Sequence, residues 1–337
     1  MESNRYLAEP SGESHQAARH HSEVARDVSV VIVCHNNRGE IDRCVESVLD
    51  LGCSVFLIDA ASRDDSAAHV RERYPAVHVV ELAENRGFGA AANDGFELVR
   101  TRYVLLINAD AWPESGAVES LVAAADRTPS LGAIGPRLVY ADGSDQRSIF
   151  GYPQSPTTLG AFVALPGVID RLYALWQRIR GREEFRHAAH DVVVVPHSEF
   201  VSGAALLVRR EAFVAVGGFD RRFFMYCEEI DLCRRLRHTG WTIAFHPRAT
   251  FAHVGGASTS QEPERMYGEL IQSYLCFIAK HRGLTAARRA RIMALGALAL
   301  RGLVFSGPER RRARAALRRL RVAGARSALE SFSSSPS

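Results

Sequence analysis

Residues 103–113 read Tyr-Val-Leu-Leu-Ile-Asn-Ala-Asp-Ala-Trp-Pro. Five apolar residues, Tyr103 to Ile107, run straight into Asn108 and Asp110. A short continuous apolar run bounded by polar residues suits a strand buried on both faces. Its polar tip then lies at the carboxyl end of the strand, where open α/β sheets bind ligands. Asp110 offers a hard carboxylate oxygen and Asn108 an amide oxygen, the donor types that Mg²⁺ and Mn²⁺ accept alongside substrate phosphates. The competing reading makes Asp110 a cap for a helix opened by Pro113.

Upstream the same pattern recurs. Val28 to Cys34 is a β-branched strand followed by the turn His35-Asn36-Asn37-Arg38, and Glu40 to Leu51 has helical apolar spacing. Val55 to Ile58 is a second strand ending on Asp59, with Ser62 or Asp64 as N-cap of a helix running to Arg73. Val77 to Leu82 is a third, and Glu84 to Asn93 is a glycine-containing turn that opens a helix to about Arg100. Strands alternating with helices predict a parallel sheet with right-handed crossovers. Asn36, Asp59, Asn108 and Asp110 then converge on one rim, which core packing alone does not call for. Downstream, Leu131–Tyr140, Phe200–Val208 and Thr242–His246 read as strands. Cys227–Thr239 and Glu262–His281 read as helices. Residues 151–196, punctuated by Pro and Gly, read as a flexible insertion with an amphipathic piece from Ile169 to Ile179.

The bulk numbers fit one large α/β domain with additions: 337 residues, 47% hydrophobic and 24% charged. The net charge of +4 is unevenly spread. Residues 282–326 hold thirteen Arg and one Glu, a local +12, which leaves the remainder at −8. Cys34, Cys44, Cys53, Cys227, Cys233 and Cys276 form no CxxC pair and no zinc spacing, and several lie in apolar runs, as buried reduced thiols do. Residues 1–27 are polar and lack a signal-peptide core, which predicts a disordered leader. The longest apolar tract, Ile292 to Phe305, is broken by Arg301 and is shorter than the ~20 residues a membrane span needs.

Taken in order, the motifs resemble the inverting GT-A glycosyltransferases of family 2, especially bacterial rhamnosyltransferase-like members. They are Val30 to Asn36, Leu57 to Ser66, Asn85 to Asn93, Leu106 to Asp110, Ser202-Gly-Ala-Ala, Gly217 to Arg234, and His253-Val-Gly-Gly. The resemblance spans about residues 27–260, and the ordered set is more specific than any single member. It implies a Rossmann-like α/β fold with a mixed, mostly parallel sheet over residues 28–260, followed by a helical, Arg-rich extension at 261–337. Asp59 resembles the family's acidic residue for the donor's base or ribose. Asn108-Ala109-Asp110 stands at the DxD position, with Asn in place of the first Asp. The resemblance therefore implies that Asp110 ligates Mg²⁺ or Mn²⁺ together with a distant His253.

For the base, Glu228-Glu229-Ile230-Asp231 puts three carboxylates at a helix start, where crowding raises a pKa and the helix terminus lowers it. Glu229 aligns with the family's catalytic base, usually an Asp. Asp231 is the alternative, and Glu228 completes the set. Arg86 and Gly87, ahead of a helix, are placed to face the donor diphosphate with a guanidinium and backbone N–H groups. Ser202 to Ala205 leaves room for an acceptor sugar, with Phe223, Phe224, Tyr226 and Trp241 as stacking platforms.

The expected activity is inverting transfer of a sugar, rhamnose above all, from a dTDP- or UDP-linked donor to a glycan or lipid-linked saccharide. The sequence carries no signal for oligomeric state. Leu284 to Phe332 mixes Ala and Leu with Arg at helical spacing, a basic amphipathic pattern suited to an anionic membrane surface. No recognition motif for nucleic acid accompanies it. Those features predict a cytoplasmic protein held peripherally at the inner face of the plasma membrane. A sugar-nucleotide pyrophosphorylase is the first rival, but it wants a Gly- and Lys-rich loop where this chain has His35-Asn36-Asn37-Arg38. A non-catalytic binding protein using the Arg tail is the second.

Overall fold

The structure is a computed structural model and describes residues 24–151, 192–197, 199–256, 259–321 and 331. The expected leader (1–27) and insertion (151–196) lie mostly outside the described residues. Residues 24–27 form a helical turn whose Val24 is buried.

Four parallel strands make the first half of the sheet: β1 (Val28–Cys34), β2 (Ser54–Asp59), β3 (Val77–Glu81) and β4 (Tyr103–Asn108), side by side in the order β3-β2-β1-β4. Helices α1 (Ile41–Leu49), α2 (Ser66–Arg73) and α3 (Phe88–Leu98) make the crossovers. The second half is mixed. β6 (Leu131–Val139), reached through α4 (Ala117–Arg127), is separated from β4 by β11 (Ala205–Arg209), which is antiparallel to both. β12 (Thr242–His253) runs parallel to β6, and β5 (Ala111–Pro113) caps its end antiparallel. β7 (Asp145–Gln146) flanks β6, β9 (Val193–Val194) flanks β12, and β8 (Ile149–Gly151) pairs with β10 (Glu199–Val201) in a separate ribbon.

Side-chain alternation along β1 divides the core. Val28, Val30, Ile32 and Cys34 face α1, α2 and α4, whereas Val31 and Val33 face α3, α5 (Arg210–Ala215), α6 (Glu228–His238) and α7 (Pro263–Arg282). All six cysteines are buried and free, as their apolar settings predicted.

Four expected elements differ. Pro113 does not open a helix: the chain leaves β4 at Asp110 and pairs at once as β5, an edge strand that tolerates proline's missing N–H. The run Phe200–Val208 is split at Ser202-Gly203-Ala204 into β10 and β11 of different sheets, and Gly203 there sits so close to Glu229 that an added Cβ would lie 3.4 Å from that residue's Cβ. The strand expected at Thr242–His246 continues to His253, with an irregularity after His246 whose ring Nδ1 accepts the amides of Arg248 and Ala249 at 3.3 and 3.1 Å. The tail is not one basic helix. It forms α8 (Leu284–Val304) and α9 (Gly307–Arg321), which pack on each other and on α7.

Candidate active site

The carboxyl ends of β1 and β4 line a cleft of about 320 Å³, together with the loop ahead of α3, the Ser202 turn, the start of α6, the end of β12 and the first turn of α7. Its β1 wall is built by hydrogen bonds between loops. Asp59 is buried at the tip of β2 and accepts the amide of Ser62 at 2.9 Å and the Ser62 hydroxyl. Ser62 Oγ in turn accepts the amide of Asn36 at 2.9 Å, and Asn36 Oδ1 accepts the amide of Arg63 at 2.8 Å. These bonds hold Asn36 in a left-handed conformation, φ 55°, which Asn tolerates better than most residues. Asn36 and His35 face the cleft and Asp59 does not. Its carboxylate organises the loop that forms the wall. The Asp64 side chain, rather than a residue at the N-cap position, takes the first free amide of α2, that of Ser66, at 3.2 Å.

At the opposite wall, strand register explains how residues far apart in the chain meet. Because β5 follows Asp110 directly and pairs Ala111 with His253, the imidazole is delivered beside Asp110. His253 Nε2 lies 3.3 Å from Asp110 Oδ1 and 3.5 Å from Asn108 Nδ2. The other ring nitrogen, Nδ1, sits 2.7 Å from Gln146 Oε1, which can only accept there; it therefore fixes the proton on Nδ1 and leaves the Nε2 lone pair facing Asp110. Among the described residues no group of three His, Cys, Asp or Glu side chains could hold a metal ion. Asp110 and His253 could supply two ligands, a set that suits a cation whose shell is completed by diphosphate oxygens and water. Gln146 carried no sequence signal, since its partner is 107 positions away.

The third wall is α6. Tyr226 and Cys227, φ 67° and 68°, are consecutive left-handed residues immediately before Glu228, a strain that turns the helix start into the cleft. Glu228 and Glu229 both line the cleft, and Oε2 of each is buried without a hydrogen-bond partner. Burial raises the Glu229 carboxyl to about 7. Burial, and then the neighbouring Glu229, raise Glu228 well above the ordinary range. Of the two, Glu229 is raised less and is the first to give up its proton. That is a carboxylate able to take a proton at working pH.

Asp231 has the opposite fate. It faces away from the cleft, fully buried, with Arg235 Nε at 2.7 Å, Lys280 Nζ at 2.7 Å and His281 Nε2 at 2.8 Å. Burial alone would raise its pKa; the His281 hydrogen bond and the Arg235 and Lys280 charges outweigh that and lower it. As an alternative base it is corrected to a structural anion. Lys280 also reaches Asp220 at 2.8 Å, so one ammonium ties α7 to α6 and to the aromatic loop 219–226. That loop is fastened elsewhere by Asn93, which exchanges two 2.9 Å hydrogen bonds with the Phe219 backbone, and by Ser273, whose hydroxyl donates to Met225 O at 2.7 Å.

Two further expectations change. Arg86 pairs with Asp94 at 2.5 Å outside the cleft. The amides of Gly87 and Phe88 already have acceptors, Asn85 Oδ1 at 2.9 Å and Phe224 O at 3.0 Å, so they form no cradle for phosphate. Gly87 is required for another reason: at φ 96°, a Cβ there would lie 1.9 Å from Phe224 O. Of the stacking candidates, Phe224 and Tyr226 line the cleft, whereas Phe223 is core and Trp241 packs over Gly132. Gln261, Glu262, Arg265 and Met266, from the start of the C-terminal extension, complete the mouth. Gln261 Nε2 donates to Asn36 O at 2.9 Å and closes the ring of walls.

The profile of Glycosyl transferase family 2 matches residues 29–216. An N-acetylglucosaminyl-diphospho-decaprenol L-rhamnosyltransferase of Mycobacterium tuberculosis is 31% identical over 300 residues, 85% of this chain and 94% of that protein. A pre-mycofactocin glycosyltransferase of the same organism is 29% identical over 251 residues, 72% of this chain and 44% of that protein. Among solved structures, the mannosyltransferase PcManGT of Pyrobaculum calidifontis, in complex with GDP-Man and Mn²⁺, superposes with a TM-score of 0.50 at 17% identity, over 95% of this chain and 92% of that one. That likeness speaks for the fold.

Proposed function

The chain belongs to glycosyl transferase family 2, a glycosyltransferase with the GT-A architecture, and we propose that it transfers rhamnose, with inversion, from a dTDP- or UDP-linked donor to a lipid-linked saccharide. The observation that carries this reading is the facing of two unlike acidic sites across one cleft. Asp110 with His253 forms one wall, and the Glu229 carboxylate, whose Oε2 has no partner, forms the other. The mycobacterial relative's own name, a rhamnosyltransferase acting on a diphospho-lipid saccharide, supports the choice of sugar and acceptor.

In this scheme Glu229 accepts the proton of the acceptor hydroxyl. The oxygen then attacks the anomeric carbon from the face opposite the diphosphate. The new C–O bond forms as the bond to the diphosphate breaks, and its electron pair leaves with the phosphate. Asp110 and His253 would hold a Mg²⁺ or Mn²⁺ ion, which when bound neutralises charge on the leaving diphosphate. Gln146 keeps His253 in the tautomer that presents Nε2, and Phe224 and Tyr226 supply apolar faces for a sugar ring. A lipid-linked acceptor would place the enzyme peripherally on the cytoplasmic face of the membrane, with its C-terminal extension toward the lipid.

The test is transfer from a panel of dTDP- and UDP-sugars to a short-chain diphospho-lipid saccharide in the presence of Mn²⁺, with the product's anomeric configuration read by NMR. Inverted product from the dTDP-rhamnose reaction is expected; retained configuration would overturn the single displacement. In calorimetry, Asp110→Ala should remove the Mn²⁺-dependent part of dTDP binding, and unchanged affinity would reject the metal role of Asp110.

A further inference from the structure

An amphipathic helix normally turns its large apolar residues to the core. Helix α8 does the reverse. Its buried face is Ala287, Ala290, Ala294, Leu298, Arg301 and Gly302, while Ile292, Leu300, Leu303 and Val304 are 68%, 58%, 77% and 67% exposed. At 100° per residue these four, with the half-exposed Met293, fall within one side of the helix, about a third of its circumference. Of the eleven large apolar residues exposed in the described chain, six lie between residues 292 and 305, so this is one patch rather than scattered surface leucines. The stretch offers solvent no charge: its one ionic residue, Arg301, is buried with its guanidinium on Glu309 and the Tyr267 hydroxyl. Exposed Arg288 and Arg289 lie on the same side one turn earlier.

We propose that this side of α8 is the element that docks the enzyme on an anionic lipid bilayer, lying in the interface with Ile292, Leu300, Leu303 and Val304 among the acyl chains and Arg288 and Arg289 at the headgroups. The proposal rests on the lipid-linked acceptor and specifies how the enzyme reaches it. A bilayer is favoured over an aqueous partner by the pairing of a charge-free apolar strip with a basic flank, the composition of interfacial helices. The opposite side of α8 already packs on α7 and α9, so only one face remains to be covered. It also relocates the expected contact. The arginine-dense α9 spends Arg311, Arg312 and Arg319 on Glu264, Glu309 and Glu269, and acts as a brace for α8 rather than as the main anchor. Helix α7, the third member of this unit, supplies Arg265 and Met266 to the mouth of the cleft, which links docking to the side where a lipid-borne acceptor would enter.

The test uses the full chain and cosedimentation with vesicles of phosphatidylcholine alone or mixed with phosphatidylglycerol. The wild type should pellet with the anionic vesicles and resist elution by salt. Leu300→Asp with Leu303→Asp should lower partitioning by more than about tenfold, because each change removes buried methylenes and adds a charge. Arg288→Glu with Arg289→Glu should abolish the preference for phosphatidylglycerol. All four positions are exposed, so melting temperature and transfer to a water-soluble acceptor should stay at the wild-type level. Unchanged vesicle binding by the leucine variant would overturn the proposal. So would a wild-type dimer in sedimentation equilibrium that the leucine variant converts to monomer, since the strip would then face a second copy. Absence of transfer to any acceptor would count against the proposed reaction and leave the vesicle result to be judged by itself.

Discussion

One helix, α6, carries two acidic regions within its first four residues, and they behave as opposites. At its first two residues, Glu228 is buried and Glu229 half-buried on the cleft side, each with a buried Oε2 that has no partner, and both are raised, Glu229 to about 7. Two residues on, Asp231 is buried on the far side against Arg235, Lys280 and His281 and is lowered. Residue type and helix position are nearly the same, and burial opposes ionisation at both. Partners decide the outcome: a buried carboxylate given cations is a strut, and one denied them is a reagent.

The sharpest way to break this contrast is to neutralise each side in turn. Glu229→Gln should lower turnover about 10³-fold, within the usual range for a general base, with donor affinity unchanged and no loss of melting temperature. A variant that turns over at the wild-type rate would move the base elsewhere. Next in size is Lys280→Met, which removes the ammonium that Asp231 and Asp220 share and leaves them only Arg235 with His281 and Arg222 respectively. Loss of one partner of a buried ionic network costs about 3–5 kcal/mol, read as a lower urea midpoint. Lys280→Arg should recover most of it. If Lys280→Met is as stable as wild type, Asp231 is not the strut described here.

How much of this was open to reading in the sequence varies with the range of the interaction. The parallel strands and their polar tips were legible because alternation and turn chemistry are local. So was the ordered motif set that identified the family. Asp231 was read as the alternative base; helix geometry says only that positions two apart do not share a face, and which of the two looks into the cleft is set by contacts with Arg235 and, from far along the chain, Lys280 and His281. Arg86 and Gly87 looked like a phosphate cradle because a glycine turn before a helix often is one. Here Asp94, Asn85 and Phe224 take those donors. Gln146 and Lys280 had no signal at all, since their partners are brought in by β7 and β12 both pairing with β6 and by α7 beside α6. The basic tail was legible by composition, but not which of its faces is buried.

The two regions should also respond oppositely to pH. Glu229 must be ionised to act, so kcat should rise tenfold per unit below its value of about 7 and level off above it. Stability runs the other way at this site. The protonated form is favoured by folding, so the contribution is present below the ordinary 4.5 and is lost as pH rises through about 7. Asp231 and Asp220, both lowered, contribute above 3.8 and lose that contribution as pH falls through their depressed values. Urea midpoints in Glu229→Gln should therefore decline less steeply between 4.5 and about 7, the raised Glu228 still contributing there, while keeping the acid limb. An unaltered profile in that variant would detach the titration from Glu229.

The smallest expected effect separates the two glutamates from each other. Glu228 is raised well above the ordinary range by burial and then by the Glu229 charge, further than Glu229 itself, so it gives up its proton after Glu229. A protonated carboxyl and an amide are close in shape and equally uncharged. Glu228→Gln should therefore change kcat by less than about twofold and leave the pH midpoint in place. The asymmetry follows from position: an added Cβ on Gly89 would lie 3.3 Å from the Glu228 Cβ, against the α3 side, whereas Glu229 faces the Ser202-Gly203 turn. If Glu228→Gln proved as damaging as Glu229→Gln, the charge would sit on Glu228, and the base would be the residue nearer the helix start.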